Sequence, residues 1–332
     1  MLVRLPRIKG EGLCTYGCYS RAVDGRSIFS VAGAGAKKFL LIMARKAAFM
    51  GIRILSIFLT TDGFFLLCQV DNSKPLSVKT VLKRIGAYYG MDRVRELVKK
   101  FKAVTDRAQR KELIARLLEP YRRRMNDVSI LMKEAKGEFA QGYNRTHGRT
   151  GVLWAERFKS VLLEAGHAVA ALAAYIDLYL VRAGLCTDLK EDGCCSYVEA
   201  LARGSPEEQE NLRIILDLPE TTSWEELRQE YRKHLFKTGA LASESPAVFE
   251  PDQVEKVVGQ ENIEGRAAEL WRGRIRYFSD GVILGSRAFV QSHFERLKEK
   301  LGYKRKRGPV AVEILPRAGL WAFRKMRARK FG

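Results

Sequence analysis

A chain of 332 residues with 46% hydrophobic content can hold one large domain or two modest ones, and it is too apolar to be disordered throughout. Its 59 Lys and Arg against 38 Asp and Glu leave a net charge of +21, which calls for a polyanionic partner, nucleic acid or an anionic membrane surface. No apolar run is long enough to span a bilayer, and the start MLVRLPRIKG lacks the apolar stretch of a secretory signal.

Residues 13–23 read as a strand, with Tyr16 and Tyr19 and little helical periodicity. The glycine-rich VAGAGAKK that follows has neither a dinucleotide fingerprint nor a P-loop ending, so it carries no phosphate-binding expectation. Residues 36–50 form a helix: Phe39, Leu40, Met43, Ala47 and Met50 recur at helical spacing, Lys37, Lys38, Arg45 and Lys46 lie outside, and Gly51 ends it. Two apolar runs, 52–59 and 63–70, meet at Thr60, Thr61 and Asp62 as an antiparallel hairpin. Phe64, Leu66 and Cys68 face one way, and Gly63, Phe65, Leu67 and Gln69 the other. After a turn at 71–75 come helices over 77–89, 91–104, 107–118 and 120–143, punctuated by Gly90, Thr105-Asp106 and Pro120. A charged helical insertion is expected at about 76–138.

NRTHGRTG at 144–151 is a polar, basic loop, and 153–162 reads as another strand. The stretch AAYIDLYLVRAGL at 173–185 is a helix that places Tyr175, Tyr179 and Arg182 on one face, with Gly184 closing it. This order gives an α+β fold, a split β-α-β arrangement with helices on one side of an antiparallel sheet. Beyond Gly193 a charged helix covers 205–216, and Ser223 with Glu226 makes a capping box for a helix to about His234. Residues 238–253 are loop-like, 254–278 helical in part, and 286–301 a helix with Phe289, Val290, His293, Phe294 and Leu297 on one face. The end is basic: Lys304, Arg305, Lys306 and Arg307, then Arg317, Arg324, Lys325, Arg327, Arg329 and Lys330. Trp321 and Phe323 among these cations suggest nucleic-acid contact. The divisions are therefore 1–190, a helical extension at 191–300 and a basic tail at 301–332. Cys14, Cys18, Cys68, Cys186, Cys194 and Cys195 match no zinc spacing, and an adjacent pair suits no disulfide framework. They are expected to be reduced thiols in a cytoplasmic protein. The cations are scattered, which favours nucleic acid over a membrane.

Several segments in order resemble the REP-associated tyrosine transposases, the insertion-sequence branch of the HUH single-tyrosine DNA nickases. They are Tyr16 with Ser20-Arg21 and Val23-Asp24, the hairpin ILSIFLTTDGFFLL, YRRRMNDVSILMKEAKGEF, YNRTHGRTGVLWAERFKSVLLE and AAYIDLYLVRAGL. Late in the chain, YFSDGVILGSRAFV and GYKRKRGP resemble an extension of longer members. The resemblance covers most of the chain outside about 206–269. It implies a ferredoxin-like HUH nickase fold, a prokaryotic, nucleoid-associated protein, and single-stranded or hairpin DNA as partner.

In that family two histidines on one strand face, with a polar ligand from the tyrosine helix, hold a divalent metal that polarises the scissile phosphate. A tyrosine then attacks and forms a covalent phosphotyrosine link. Tyr175 matches the nucleophile. Gly63 and Phe65 stand where the histidines are, Tyr179 and Leu180 where asparagine and proline are, and Gly17 where a first-strand histidine is. None of Gly63, Gly17 or Phe65 can ligate a metal. The expectation is DNA binding with metal-dependent nicking lost, and no cofactor. Magnesium or manganese enters only if nicking survives, as in one alternative, an active transposase with displaced ligands. The other alternative is a non-catalytic RNA-binding or structural protein.

Tyr179 is read as filling the emptied site. Asp62 and Asp177 could form a makeshift magnesium site, though a turn and a helix surface are their expected places. His147 is a loop residue and His167 a surface residue opening the tyrosine helix. Phosphate contacts are assigned to Arg21, Arg145, His147, Arg149, Arg157, Lys159, Arg182 and the 304–307 run.

Overall fold

The computed structural model describes residues 8–29, 33–178, 204–240, 273–274, 277–278, 282–301, 308–312, 319–323 and 329–330. The expectations for Tyr179, Leu180, Arg182, Gly184, Cys186, Cys194, Cys195 and the 304–307 run lie outside those residues.

The chain runs β1 (Leu13–Arg21), α1 (Ala34–Met50), β2 (Ile52–Thr60) and β3 (Gly63–Asp71), followed by three helices, α2 (Val78–Tyr89), α3 (Met91–Lys102) and α4 (Arg107–Arg122). Then come α5 (Val128–Thr146), β4 (Lys159–Leu163), α6 (His167–Asp177), α7 (Pro206–Leu216) and α8 (Trp224–Ala240). Short strands β5 (Gly273–Arg274) and β6 (Ile283–Gly285), helix α9 (Arg287–Leu301), and strands β7 (Val310–Ala311), β8 (Trp321–Ala322) and β9 (Arg329–Lys330) complete it. The class is α+β. A seven-stranded sheet has the order β2-β3-β1-β4-β6-β8-β7, while β5 and β9 pair separately. Neighbouring strands among β1 to β4 are antiparallel and β6 lies parallel to β4, so the sheet is mixed. Strands β1 and β2 flank β3, and β3 and β4 flank β1, so the β1–β2 and β3–β4 connections each span one intervening strand.

The alternation of β3 splits its side chains between two cores, as its sequence implies. Phe64, Leu66, Cys68 and Val70 join Phe39, Met43 and Met50 of α1 and Leu131, Ala135 and Phe139 of α5. Phe65 and Leu67 join α6, Leu212 and Ile215 of α7, and Leu227, Tyr231 and Leu235 of α8. Helices therefore cover both faces, not one. The reason is α6 itself. Residues Ala168 to Asp177 are all buried, because an all-round apolar helix needs a sheet on one side and helices on the other.

Other expectations shift at boundaries. The helix expected over 120–143 starts at Val128, because Asn126 takes φ +54 and Asp127 caps, its carboxylate accepting from the Ser129 and Ile130 N–H groups. Pro120 lies inside the last turn of α4 and is not its boundary. Helix α5 continues to Thr146 and absorbs the start of the expected loop. The strand expected over 153–162 is confined to Lys159–Leu163. Ahead of it, Trp154 bridges Ala22, packs on Phe39 and Phe64, and donates its Nε1–H to the Lys136 carbonyl at 3.0 Å. Lys46 is buried, not outside: its ammonium pairs with Glu138 at 2.9 Å and Glu134 at 3.5 Å. Residues 273–274 are strand within the stretch expected to be helical in part. Trp321 belongs to the main sheet under Arg287, and Phe323 is buried against Phe294, so sheet packing takes the place of the expected nucleic-acid contact at Phe323.

Candidate functional site

Helix α6 crosses the second face of the sheet and lays Tyr175 over β3. The Tyr175 ring meets Phe65 edge-on, with centroids 6.0 Å apart, and packs against Phe278 at 4.9 Å. Tyr19 of β1 closes on Phe65 from the other side at 4.6 Å. Tyr175 is 2% exposed and Phe65 7%. The structure thus brings the tyrosine of the helix motif and the aromatic residue of the strand motif into one cluster of four rings. Beneath it, a Cβ on Gly17 would stand 2.2 Å from Leu172 Cδ2, so Leu172 of α6 occupies the space a β1 side chain would need.

Gly63 is more constrained. A Cβ there would come within 2.4 Å of the Ser20 carbonyl oxygen and 3.0 Å of Arg21 Cα, both backbone. No side chain enters at 63 unless β1 and β3 part. Neither Gly63 nor Phe65 offers a donor atom. Among the described residues no group of three His, Cys, Asp or Glu side chains is arranged to hold a metal.

Of the two aspartates, Asp62 lies in the hairpin turn and accepts from Thr60 Oγ1 at 3.0 Å. Asp177 is not on a surface. It is 3% exposed, and the Tyr231 hydroxyl donates to its Oδ2 at 2.6 Å, while Oδ1 is buried without a partner. Burial pushes this carboxyl up to about 7, and the Tyr231 hydrogen bond pulls the other way. Sequence reading missed it because its partner stands 54 residues away.

The basic residues gather at one end of the sheet. The Ala22 N–H donates to the Asp62 carbonyl at 2.6 Å, Val23 to Leu153 at 2.9 Å, and Ala155 to Arg21 at 3.1 Å. These bonds fasten the end of β1, the hairpin turn and the 153–158 segment together. Arg21, Arg145, His147 and Arg157 are exposed there. His147 stacks on Tyr143 with centroids 3.9 Å apart. Arg149 is half-buried and donates to Asn144 Oδ1 at 3.1 Å, and Asn144 in turn donates to the Gly151 carbonyl at 2.9 Å, which holds the loop in shape. Lys159 pairs with Glu156 at 3.2 Å. Exposed Arg26, Lys37 and Lys38 belong to the same rim, with Lys38 reaching across to Gly142 at the end of α5. Helical spacing could place Lys37 and Lys38 on an outer face; only the antiparallel packing of α1 on α5 brings them to this rim.

A cleft of about 330 Å³ opens far from Tyr175, between Tyr16, Phe158, Arg122 and Asn126. Among the described residues no helix is long and apolar enough to cross a membrane. The chain matches no known family model, no curated protein and no solved structure, so the functional reading rests on the geometry of the ring cluster and the basic rim.

Proposed function

We propose that the protein binds DNA on a ferredoxin-like, HUH-type scaffold from which metal-dependent nicking has been lost. The observation that carries this is the edge-on packing of Tyr175 on Phe65. A tyrosine and a strand position that would share a metal-assisted phosphate in an active nickase here share an apolar contact. The strand order β2-β3-β1-β4, with the tyrosine helix on the face opposite α1 and α5, supports the scaffold. The basic rim supports the partner, since exposed Arg and Lys beside a stacked His147 and Tyr143 suit phosphates and unpaired bases.

Loss of a Lewis acid worth several kcal/mol lowers the rate by at least about 2 to 3 orders of magnitude. A sealed nucleophile lowers it further. The test incubates the protein with labelled single-stranded hairpin DNA and magnesium or manganese, then looks for a covalent adduct, with Tyr175→Phe as control. The expected result is no adduct, together with hairpin binding that weakens as salt rises. An adduct that requires both metal and Tyr175 overturns the reading. Tighter binding to hairpin RNA than to hairpin DNA at the same salt overturns the choice of partner.

A further inference from the structure

We infer that the three-helix insertion α2–α4 is a second, independent phosphate-binding surface, which grips duplex DNA at the end of the α1–α5 layer remote from the basic rim. The inference rests on the DNA-binding reading above and assigns the form of the ligand.

Residues 78–124 hold 15 Lys and Arg against 5 Asp and Glu, a net +10 of the chain's +21. A segment this short carrying nearly half the net charge is a local feature, not general basicity. Its ion pairs engage Arg93, Arg95, Lys100 and Arg124. Among the described residues none engages Lys99, Lys102, Arg107 or Lys111, all of which are exposed. These four flank the α3–α4 turn at helical spacing, so they form one cationic tip. The acid in that turn, Asp106, is occupied as the cap of α4, accepting from the Gln109 N–H at 2.7 Å.

The tip is rigid. Arg110 donates to the Val104 carbonyl at 2.7 Å and the Thr105 carbonyl at 3.3 Å, closing the end of α3. Arg93 donates to the Tyr121 hydroxyl at 2.9 Å, tying α3 to α4. At the base, Arg84 donates to the Met50 carbonyl and Asn126 Oδ1, and it lies over Gly51 so closely that a Cβ there would meet its guanidinium. The insertion is therefore held against the C-terminal end of α1 and cannot swing.

That anchorage sets the distance. The rim lies at the N-terminal end of α1 and the C-terminal end of α5, and the insertion lies at their other ends. Helix α5 has 19 residues, so the base of the insertion lies about 28 Å from the rim, and the tip stands at the other end of the 16-residue α4. A stiff polyanion bridges two fixed cationic surfaces without the ordering cost a single strand pays, which selects duplex. A membrane is disfavoured because in α3 Leu97 and Phe101 are buried and Val94 and Val98 half-buried, and the exposed Met91 stands at the end of the helix away from the tip, so no apolar face accompanies the cations.

The test measures binding of the full chain to DNA hairpins with stems of 5 to 16 base pairs over a range of salt. It compares wild type with the combined Lys99→Gln, Lys102→Gln, Arg107→Gln, Lys111→Gln variant and with Arg145→Gln, Arg157→Gln. Wild type should gain at least tenfold in affinity at a threshold stem length within that range, where one stem reaches both surfaces, with a steeper salt dependence. The tip variant should lose that gain, and its log–log salt slope on long stems should be shallower by about 3. Its affinity for the shortest stems should match wild type. The rim variant should weaken every stem length. A tip variant that binds long stems as wild type does overturns the inference and leaves the DNA-binding reading standing, provided the rim variant weakens. No nucleic-acid binding by wild type overturns both.

Discussion

Gly63 has no room for a side chain because the backbone of β1 passes over it. Gly63→Ala should destabilise the protein by about 1 to 3 kcal/mol, the cost of forcing backbone apart, read as a lowered midpoint in urea unfolding. It follows that Gly63→His with Phe65→His is no minimal repair: the pair should lower stability without restoring an adduct. Asp177 acts through its proton. Its folded value of about 7 lies above the ordinary 3.8, so the folded state keeps a proton that the unfolded chain has released. This group's contribution favours folding most at low pH and declines as pH rises from about 4 to about 7, by up to about 4 kcal/mol. Asp177→Asn keeps the oxygen that accepts from Tyr231 and removes the charge. Its stability relative to wild type should therefore rise across that window and level off above it. A stability difference between wild type and Asp177→Asn that stays flat between about pH 4 and pH 7 would show that Asp177 ionises freely in the fold.

At the scale of elements, α6 is held by what it touches on both sides. Tyr231 of α8 supplies the polar tie to Asp177, so Tyr231→Phe should remove that carboxyl's hydrogen bond and cost about 1 to 3 kcal/mol at pH 8. A double-mutant cycle with Asp177→Leu, which removes the acceptor, should recover most of that loss; additive losses would mean the bond contributes nothing. Elements were legible where local chemistry specifies them. The alternation of β3 announces two faces, and the Ser223 and Glu226 capping box is present as read, with Glu226 N–H donating to Ser223 Oγ at 3.3 Å. They were illegible where the partner is remote. Lys46 looks like a solvent cation until α5 brings Glu134, 88 residues on, to its side. The 153–158 segment has the apolar content of a strand, but Trp154 spends its ring on the α1–α5 core. The meeting of Tyr175 and Phe65 could be named as two motif positions from sequence, but their contact is a product of tertiary packing.

At the scale of the whole molecule, charge and architecture separate. Both cores are apolar, while clusters of exposed cations lie at the two ends of the α1–α5 layer. The net charge was plain in the sequence and its division was not, because the rim is assembled from three distant segments joined by backbone hydrogen bonds. Binding should accordingly be strongly salt-dependent, and neutralising the rim should weaken all nucleic acids alike without moving the thermal midpoint by more than about a degree or two.

The parallel seam between β4 and β6 has a consequence for biosynthesis. Leu162 and Leu163 pair with Ile283 and Leu284, and the sheet beyond them is finished only by β8 at Trp321–Ala322. On a ribosome adding about 5 to 20 residues per second, β4 would wait roughly 6 to 24 seconds for β6. During that interval the nascent chain presents an open strand edge, the kind of surface that recruits chaperones or another nascent chain. Transcripts that end early, near residue 190, should yield insoluble product even though every residue of the tyrosine helix has been made.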